Sequence, residues 1–365
     1  METGNAIELK GVTKRFGDVI ANDNVNLTVR KGEILSILGE NGSGKTTLMN
    51  MLSGIYFPDE GEIYVDGKEV TIRSPKDSFA LGIGMIHQHF KLINILTAAE
   101  NIILGLPGKE KLNMKQVEKE IRELTEQYGF DLNPSQKIYD MSVSQKQTVE
   151  IVKVLYRGAD ILILDEPTAV LTPQETEKLF AVLRNMRKAG KSIIIITHKL
   201  NEVLELSDRV AVLRKGKYID TVETAKATVE SLTEMMVGEK VKLDINRTEP
   251  VGAEKRIEMR GITCKNKEGL KVLTEASFTA YSGEILGVAG ISGSGQKELL
   301  ESVAGLQPIE SGEILYFSPE GTTEKISEMK AEDIKNLGIT LSFVPEDRLG
   351  MGLVGSMDLT DNMMI

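Results

Sequence analysis

A glycine-rich loop that also contains a lysine and a threonine is the stretch whose residue types most directly suggest chemistry. It fits the pattern G-x-x-x-x-G-K-[ST] and consists of Gly39, Glu40, Asn41, Gly42, Ser43, Gly44, Lys45 and Thr46. An apolar run at 34–38 precedes the loop, and a helical pattern that begins with Thr47 follows it. In this context, backbone N–H groups curl around phosphate oxygens, and the helix directs its positive end at the same anion. The pattern predicts that Lys45 bridges nucleotide phosphates, that Thr47 joins the binding loop and that the Thr46 hydroxyl ligates Mg²⁺.

Two carboxylates, Asp165 and Glu166, follow a second apolar run at 161–164. Four consecutive aliphatic residues indicate a buried parallel strand, because both faces of such a strand are covered. Open α/β sheets bind ligands at the carboxyl ends of their strands. We therefore expect Asp165 to hold Mg²⁺ and Glu166 to polarise an attacking water, although two solvated turn carboxylates are the alternative.

Two further side chains are candidates with open alternatives. His198 ends a third aliphatic run; it could reach a γ-phosphate, but a single histidine is usually structural. Phe16 lies ahead of the glycine loop in a Lys/Arg/Gly context, where an aromatic ring can stack on adenine. A core phenylalanine is the alternative for Phe16.

The elements that must position these residues belong to an ordinary globular protein. The chain has 365 residues, of which 41% are hydrophobic and 27% charged, with a net charge of −10. This length suits about two domains, and the acidic balance argues against a nucleic-acid partner. The single cysteine, Cys264, excludes an internal disulfide. Neither a secretory signal nor a run of about 18 apolar residues is visible, so a cytosolic two-domain protein is expected.

The chain repeats itself. Residues 257–261 repeat the pattern of residues 7–11 about 250 residues later, and 283–286 likewise repeat 32–35. The sequence predicts a first domain at 1–240 with a mostly helical insert at about 97–157. A linker at 241–255 and a second copy at 256–365 follow.

The second copy lacks several residues of the first. Its loop at 290–297 has Gln296 in the place of Lys45 and Lys297 in the place of Thr46. A neutral amide cannot supply the fixed positive charge of a lysine, so weak nucleotide binding without hydrolysis is expected there. Glu346 stands where the first copy has Gln88, and no aliphatic-Asp-Glu strand follows. We read the sequence as about one and a half copies, a truncated piece of a longer chain.

Together, the two nucleotide motifs and His198 resemble the ATPase subunit of an ABC transporter. The tandem arrangement with a degenerate second copy is similar to the branch that imports simple sugars and nucleosides. The resemblance implies an α/β P-loop NTPase domain with a helical insert, followed by a partial second copy. It also implies that Gln88 senses Mg²⁺ and the membrane partner, and that His198 is a switch histidine. It identifies Met141-Ser142-Val143-Ser144-Gln145 as the signature that closes over a second ATP, with Ser142, Ser144 and Gln145 at that nucleotide.

The signature departs from the family pattern L-S-G-G-Q. Ser144 replaces a glycine whose bare backbone approaches a γ-phosphate closely. Thr148 stands where a basic residue is common, and Thr172 replaces the usual aspartate. In the family each ATP lies between one domain's loop and the other's signature. The resemblance therefore implies one competent composite site and one degenerate site.

The expected function is ATP hydrolysis coupled to uptake of a simple sugar or nucleoside, at the cytoplasmic face of the cell membrane. The implied partners are integral permease subunits and, indirectly, an extracytoplasmic substrate-binding protein. Two ABC domains would form a pseudo-dimer, or two chains a homodimer. The alternatives are a soluble tandem ATPase acting on ribosomes or DNA-repair complexes, and a regulatory protein that does not hydrolyse ATP. The apolar stretch 90–104 could contact a permease or pack on the chain's own insert.

Overall fold

The computed structural model divides into two compact units, Met1–Leu243 and Asp244–Ile365. It describes residues 4–87, 90–106, 113–239, 251–265, 269–290, 294–339, 342, 344 and 352–364. The boundary falls inside the segment 241–255 that the sequence suggests as a linker, and 251–255 is the described part of that segment. The assignment of functional domains to the two units stays a prediction.

The first unit contains ten strands and eight α-helices among its described residues. The strands are β1 (Asn5–Phe16), β2 (Val19–Arg30), β3 (Ile34–Leu38), β4 (Glu60–Val65), β5 (Lys68–Val70), β6 (Ile83–Ile86), β7 (Ile161–Asp165), β8 (Ser192–Ile196), β9 (Arg209–Arg214) and β10 (Lys217–Glu223). The helices are α1 (Lys45–Leu52), α2 (Pro75–Ala80), α3 (Ala98–Ile103), α4 (Met114–Tyr128), α5 (Val143–Tyr156), α6 (Pro173–Lys188), α7 (Leu200–Leu206) and α8 (Val229–Val237).

A six-stranded sheet in the order β10-β9-β3-β8-β7-β6 positions the candidate site. Its strands pair in parallel, except that β10 runs antiparallel to β9. Every residue of β3, β7 and β8 is buried, because core clusters cover both faces of this sheet. The carboxyl ends of the three strands therefore meet at one edge, where Ile196 pairs with both Ile37 and Asp165.

A second, antiparallel sheet in the order β2-β1-β4-β5 packs on α1. The alternation of buried and exposed residues along β1 and β2 matches a sheet with one covered face. Phe16 is the last residue of β1, so this sheet carries the candidate aromatic.

Helices α3, α4 and α5 follow β6 and precede β7 along the chain, and they share a small core of their own. Its buried members include Ile102, Ile121, Val149 and Val152. A short 3-10 turn at Ile138–Asp140 leads into α5. Leu92 packs against this core, whereas Ile93 and Ile95 are 43% and 73% exposed. Packing on the chain's own insert is thus confirmed for Leu92, whereas the permease contact of this stretch stays a prediction.

The second unit repeats the antiparallel sheet. Its described elements are β11 (Lys255–Lys265), β12 (Lys271–Tyr281), β13 (Ser311–Phe317), β14 (Thr323–Lys325), α9 (Gln296–Val303), α10 (Ala331–Asn336) and α11 (Leu359–Met364). The order β12-β11-β13-β14 reproduces β2-β1-β4-β5. A core that includes Met259, Cys264 and Leu299 stabilises the unit. Within the described ranges of the chain, no helix combines the length and apolar character needed to cross a bilayer.

Candidate nucleotide-binding site

The glycine loop joins β3 to α1, as its spacing predicts. Gly44 precedes α1 with φ at 93°, in the left-handed region that favours glycine. A Cβ at this position would lie 2.3 Å from the Ala21 carbonyl oxygen and 2.6 Å from Asn22 Nδ2. At Gly39 a Cβ would lie 2.2 Å from the Leu213 carbonyl oxygen. Close backbone approach therefore explains the glycines at both ends of the loop.

Lys45 folds back over this loop. Its ammonium donates to the carbonyl oxygens of Gly39 and Glu40, both at 2.8 Å, and the residue is only 6% exposed. Burial lowers the pKa of Lys45, while the charges of Glu166, Asp165 and Glu40 act in the opposite direction. The loop thus holds a desolvated cation surrounded by oxygen acceptors.

Thr46 and Asp165 come together from distant parts of the sequence. The Thr46 hydroxyl donates to Asp165 Oδ2 over 3.2 Å. Burial is the main cause that raises the pKa of the Asp165 carboxyl, opposed by the hydrogen bond from Thr46. A hydroxyl and a carboxylate are hard oxygen donors of the kind that Mg²⁺ prefers, so the pair fits this ion.

Glu166 and His198 also meet at the sheet edge. His198 Nδ1 lies 3.0 Å from Glu166 Oε1, although β7 and β8 are separated by the whole of α6. Glu166 has φ at 47°, which is uncommon for a residue other than glycine. Its N–H donates to the Ile196 carbonyl over 2.9 Å, which helps to hold this backbone conformation. The backbone conformation at Glu166 thus places its carboxylate next to the His198 ring.

A cavity of about 710 Å³ adjoins these groups. Residues 41–47, Asp165 and Glu166 line it, together with Val19, Ile20 and Lys215. The sequence reading missed these last three. Val19 and Ile20 are 65% and 47% exposed, and no pattern in the sequence indicated that they would border this cavity.

Phe16 does not border this cavity. Its ring packs edge-on against Tyr56 with centroids 5.1 Å apart, and Lys14 Nζ lies 5.5 Å from the Phe16 ring centroid. At 43% exposure Phe16 is not a core residue, so that alternative is wrong. Its stacking on adenine stays a prediction. Gln88 lies outside the described residues, so its predicted role also stays a prediction.

The signature segment begins α5. Ser142 is the N-cap, and its hydroxyl accepts from the Gln145 N–H while Gln145 Oε1 accepts from the Ser142 N–H. The Ser144 carbonyl accepts from the Thr148 hydroxyl over 3.1 Å. Ser142, Ser144 and Gln145 border a separate cavity of about 630 Å³ next to α6. In the described residues they thus lie apart from the cavity beside Lys45.

Comparison with known proteins identifies the class to which this fold and site belong. The family model described as "ABC transporter" matches residues 22–169. The structure resembles a nucleotide-free ATP-binding cassette of an ABC transporter, with 26% identity and a TM-score of 0.56 over 64% of this chain and 96% of that one. The chain belongs to the ATP-binding proteins of ABC transporters. The resemblance, the P-loop α/β fold and the ATPase activity expected from the sequence are thereby confirmed.

Two curated relatives extend the likeness over the whole chain. The nucleoside import ATP-binding protein NupA of Lactococcus lactis is 45% identical over 100% of this chain and 71% of its own length. The guanosine import ATP-binding protein NupO of Bacillus subtilis is 43% identical over 98% of this chain and 69% of its own length. The chain thus spans about 70% of the length of these two relatives.

Proposed function

We propose that this chain is the ATP-hydrolysing subunit of an importer that takes up a nucleoside or a simple sugar through membrane permease subunits. The meeting of Lys45, the Thr46–Asp165 pair and the Glu166–His198 pair at one sheet edge supports this proposal. The import names of the relatives NupA and NupO support the direction and the cargo class.

In this proposal the loop binds the triphosphate. Lys45, which now donates to two loop carbonyls, would exchange these for charged phosphate oxygens. Thr46 and Asp165, with Gln88, would hold a Mg²⁺ ion, which when bound neutralises part of the phosphate charge. The glycine loop N–H groups and the start of α1 complete the anion site.

Glu166 and His198 carry the hydrolytic step. A water molecule attacks the γ-phosphate, and Glu166 orients and polarises this water. His198, held 3.0 Å from Glu166, would contact the γ-phosphate. Phosphoryl transfer needs positioning and charge neutralisation rather than a covalent intermediate, and these side chains provide both.

The permease would contact the surface around residues 90–104. Ile93 and Ile95 present exposed aliphatic side chains there, while Leu92 anchors the stretch on the helical insert. Exposed apolar side chains on one loop suit a partner surface. The chain would thus sit at the cytoplasmic face of the membrane and meet a substrate-binding protein only through the permease. Catalysis would need a pseudo-dimer of two ABC domains or a homodimer.

No observation favours the other candidate functions. The net charge of −10 disfavours the phosphate backbone of ribosomal RNA or DNA as a partner. ATP binding without hydrolysis does not require a carboxylate such as Glu166 placed beside His198.

The test is phosphate release by the purified chain beside Glu166→Gln. The variant should bind Mg-ATP like the wild type but lose at least about a hundredfold in rate, since the amide cannot accept a proton. A second experiment tests binding to the permease. The chain should co-fractionate with membranes of the source cells, and the double variant Ile93→Ser/Ile95→Ser should lose this association. Equal rates for wild type and Glu166→Gln would refute the assigned chemistry, and a protein that stays with ribosomes would refute the transport role.

A further inference from the structure

A single lysine joins the two turns that carry Glu166 and His198. The Lys199 ammonium donates to the Thr168 carbonyl over 2.9 Å and to the Thr168 hydroxyl over 3.3 Å. The same nitrogen lies 3.0 Å from Glu202 Oε1. Lys199 thus contacts the turn after β7 from its place immediately after His198.

The partners of this lysine are shielded from water, whereas the Lys199 side chain is itself 39% exposed. Thr168 is 1% exposed, and its hydroxyl donates to Glu202 Oε2 over 2.5 Å. The Glu202 side chain is 18% exposed. Because Glu202 and Thr168 are shielded and Lys199 also donates to the Thr168 backbone, the geometry of the Lys199–Glu202 pair is more narrowly fixed than that of an isolated exposed ion pair.

The two turns need such a link. The ladder between β7 and β8 ends with the pair Asp165 and Ile196. Beyond this pair, Glu166 adopts a left-handed conformation that is strained for a residue other than glycine and persists only when its surroundings hold it. Lys199 joins the backbone two residues after Glu166 to the backbone next to His198.

We infer that Lys199 is a positioning residue for ATP hydrolysis, because it fixes the turn of Glu166 against that of His198. This inference rests on the roles proposed above for these two residues. Gln147 of α5 holds the other side of the turn, through Nε2 to the Pro167 carbonyl at 2.7 Å. The turn after Glu166 is therefore clamped between α5 and Lys199.

The experiment compares Lys199→Met with the wild type. Hydrolysis is measured in single turnover with the full chain in excess over radiolabelled ATP, so that slow rates are accessible. The rate should fall about tenfold or more, since a displacement of about 1 Å can cost a hundredfold. ATP affinity should stay unchanged, because Lys199 does not line the cavity beside Lys45.

Three further variants separate positioning from general damage. Lys199→Arg keeps the charge and the donors, so it should recover much of the rate. Lys226→Met removes an exposed lysine that pairs with Glu223 at 2.7 Å, and it should leave the rate unchanged. In a Glu166→Gln background, Lys199→Met should lower the residual rate very little, because both changes act on the same step.

A crystal structure of Lys199→Met should show the contact between Glu166 Oε1 and His198 Nδ1 lost. An unchanged contact together with an unchanged rate would overturn the inference. A fall in rate matched by a parallel fall in ATP affinity and melting temperature would also overturn it. If the wild type does not hydrolyse ATP but the contact still depends on Lys199, the positioning stands and the proposed function fails.

Discussion

The two glycine loops of this chain share the conformation of the glycine that precedes the helix, but the residues that follow this glycine differ in charge. Gly44 and Gly295 precede α1 and α9 with φ at 93° and 89°. A Cβ would lie 2.3 Å from the Ala21 carbonyl oxygen in the first loop and 2.5 Å from that of Val272 in the second. These carbonyls occupy matching places on β2 and β12. The steric requirement for glycine has thus been kept in both copies.

The side chains that follow the two glycines behave differently. Lys45 places a cation over the carbonyls of its own loop, whereas the Gln296 amide donates to the Val288 carbonyl over 2.7 Å. Lys297, in the place of Thr46, extends towards Glu301 at 3.8 Å. The second loop therefore keeps the glycine conformation at the start of its helix without the fixed charge of a lysine at the next position. The conformation of the glycine and the charge of the next residue can thus change independently.

The segments before the loops also differ: residues 34–38 form β3, whereas residues 284–290 form no strand. All five residues of β3 are buried, because β8 and β9 flank it. In the second unit the corresponding Ile285 is fully exposed, and Leu286 and Val288 are more than two-fifths exposed. The strands that flank β3 are formed by residues 192–196 and 209–214. The buried character of this strand thus depends on its neighbours.

The largest effect is expected when the first loop receives the residue of the second. We expect Lys45→Gln to weaken ATP binding about tenfold to a hundredfold, since a hydrogen bond to a charged group contributes about 1.5–3 kcal/mol. Equilibrium titration with Mg-ATP measures this loss. The matched variant Gln296→Ala should leave ATP affinity unchanged, and equal losses in both variants would show that the second loop binds ATP as well as the first.

A smaller effect tests the shared backbone device. Gly44→Ala and Gly295→Ala should each lower the free energy of unfolding by about 1–3 kcal/mol, because both combine positive φ with a backbone contact below 3.0 Å. Urea denaturation measures the loss, and Gly44→Ala alone should also weaken ATP binding. Gly42, with φ at +79° and no atom within 4 Å of its Cβ position, is the control for strain without contact. An undiminished stability in Gly295→Ala would show that the two loops are not structural equivalents.

The smallest expected difference concerns the stability of the two units. Cys264 is the single cysteine of the sequence and is buried in the core of the second unit, so a thiol reagent reports on the unfolding of this unit alone. Burial also raises the pKa of the Cys264 thiol, so the folded unit should react slowly. We expect labelling of Cys264 at a lower urea concentration than loss of Mg-ATP binding by the first unit. The second unit should unfold first because exposed aliphatic side chains at 285–288 bury little apolar surface and therefore contribute little to its stability. Coincident transitions would show that the two units unfold together.

Local patterns in the sequence determined a large part of this protein. The glycine loop, the aliphatic runs and their terminal carboxylates predicted the strands and helices that carry Lys45, Asp165 and Glu166. These predictions succeed because loop, strand and helix are adjacent in the chain, and because burial on both faces requires an unbroken apolar run. The repeat of the first 60 or so residues was visible for the same reason.

Only the tertiary structure decided which distant residues meet. The sheet order places β8 between β3 and β7, and this brings His198 to Glu166 and Lys199 to Thr168. The tertiary structure likewise decides that Phe16 packs against Tyr56 and that Val19 and Ile20 line the cavity. No local pattern encodes these contacts, because strand order and side-chain direction follow from the packing of the whole sheet.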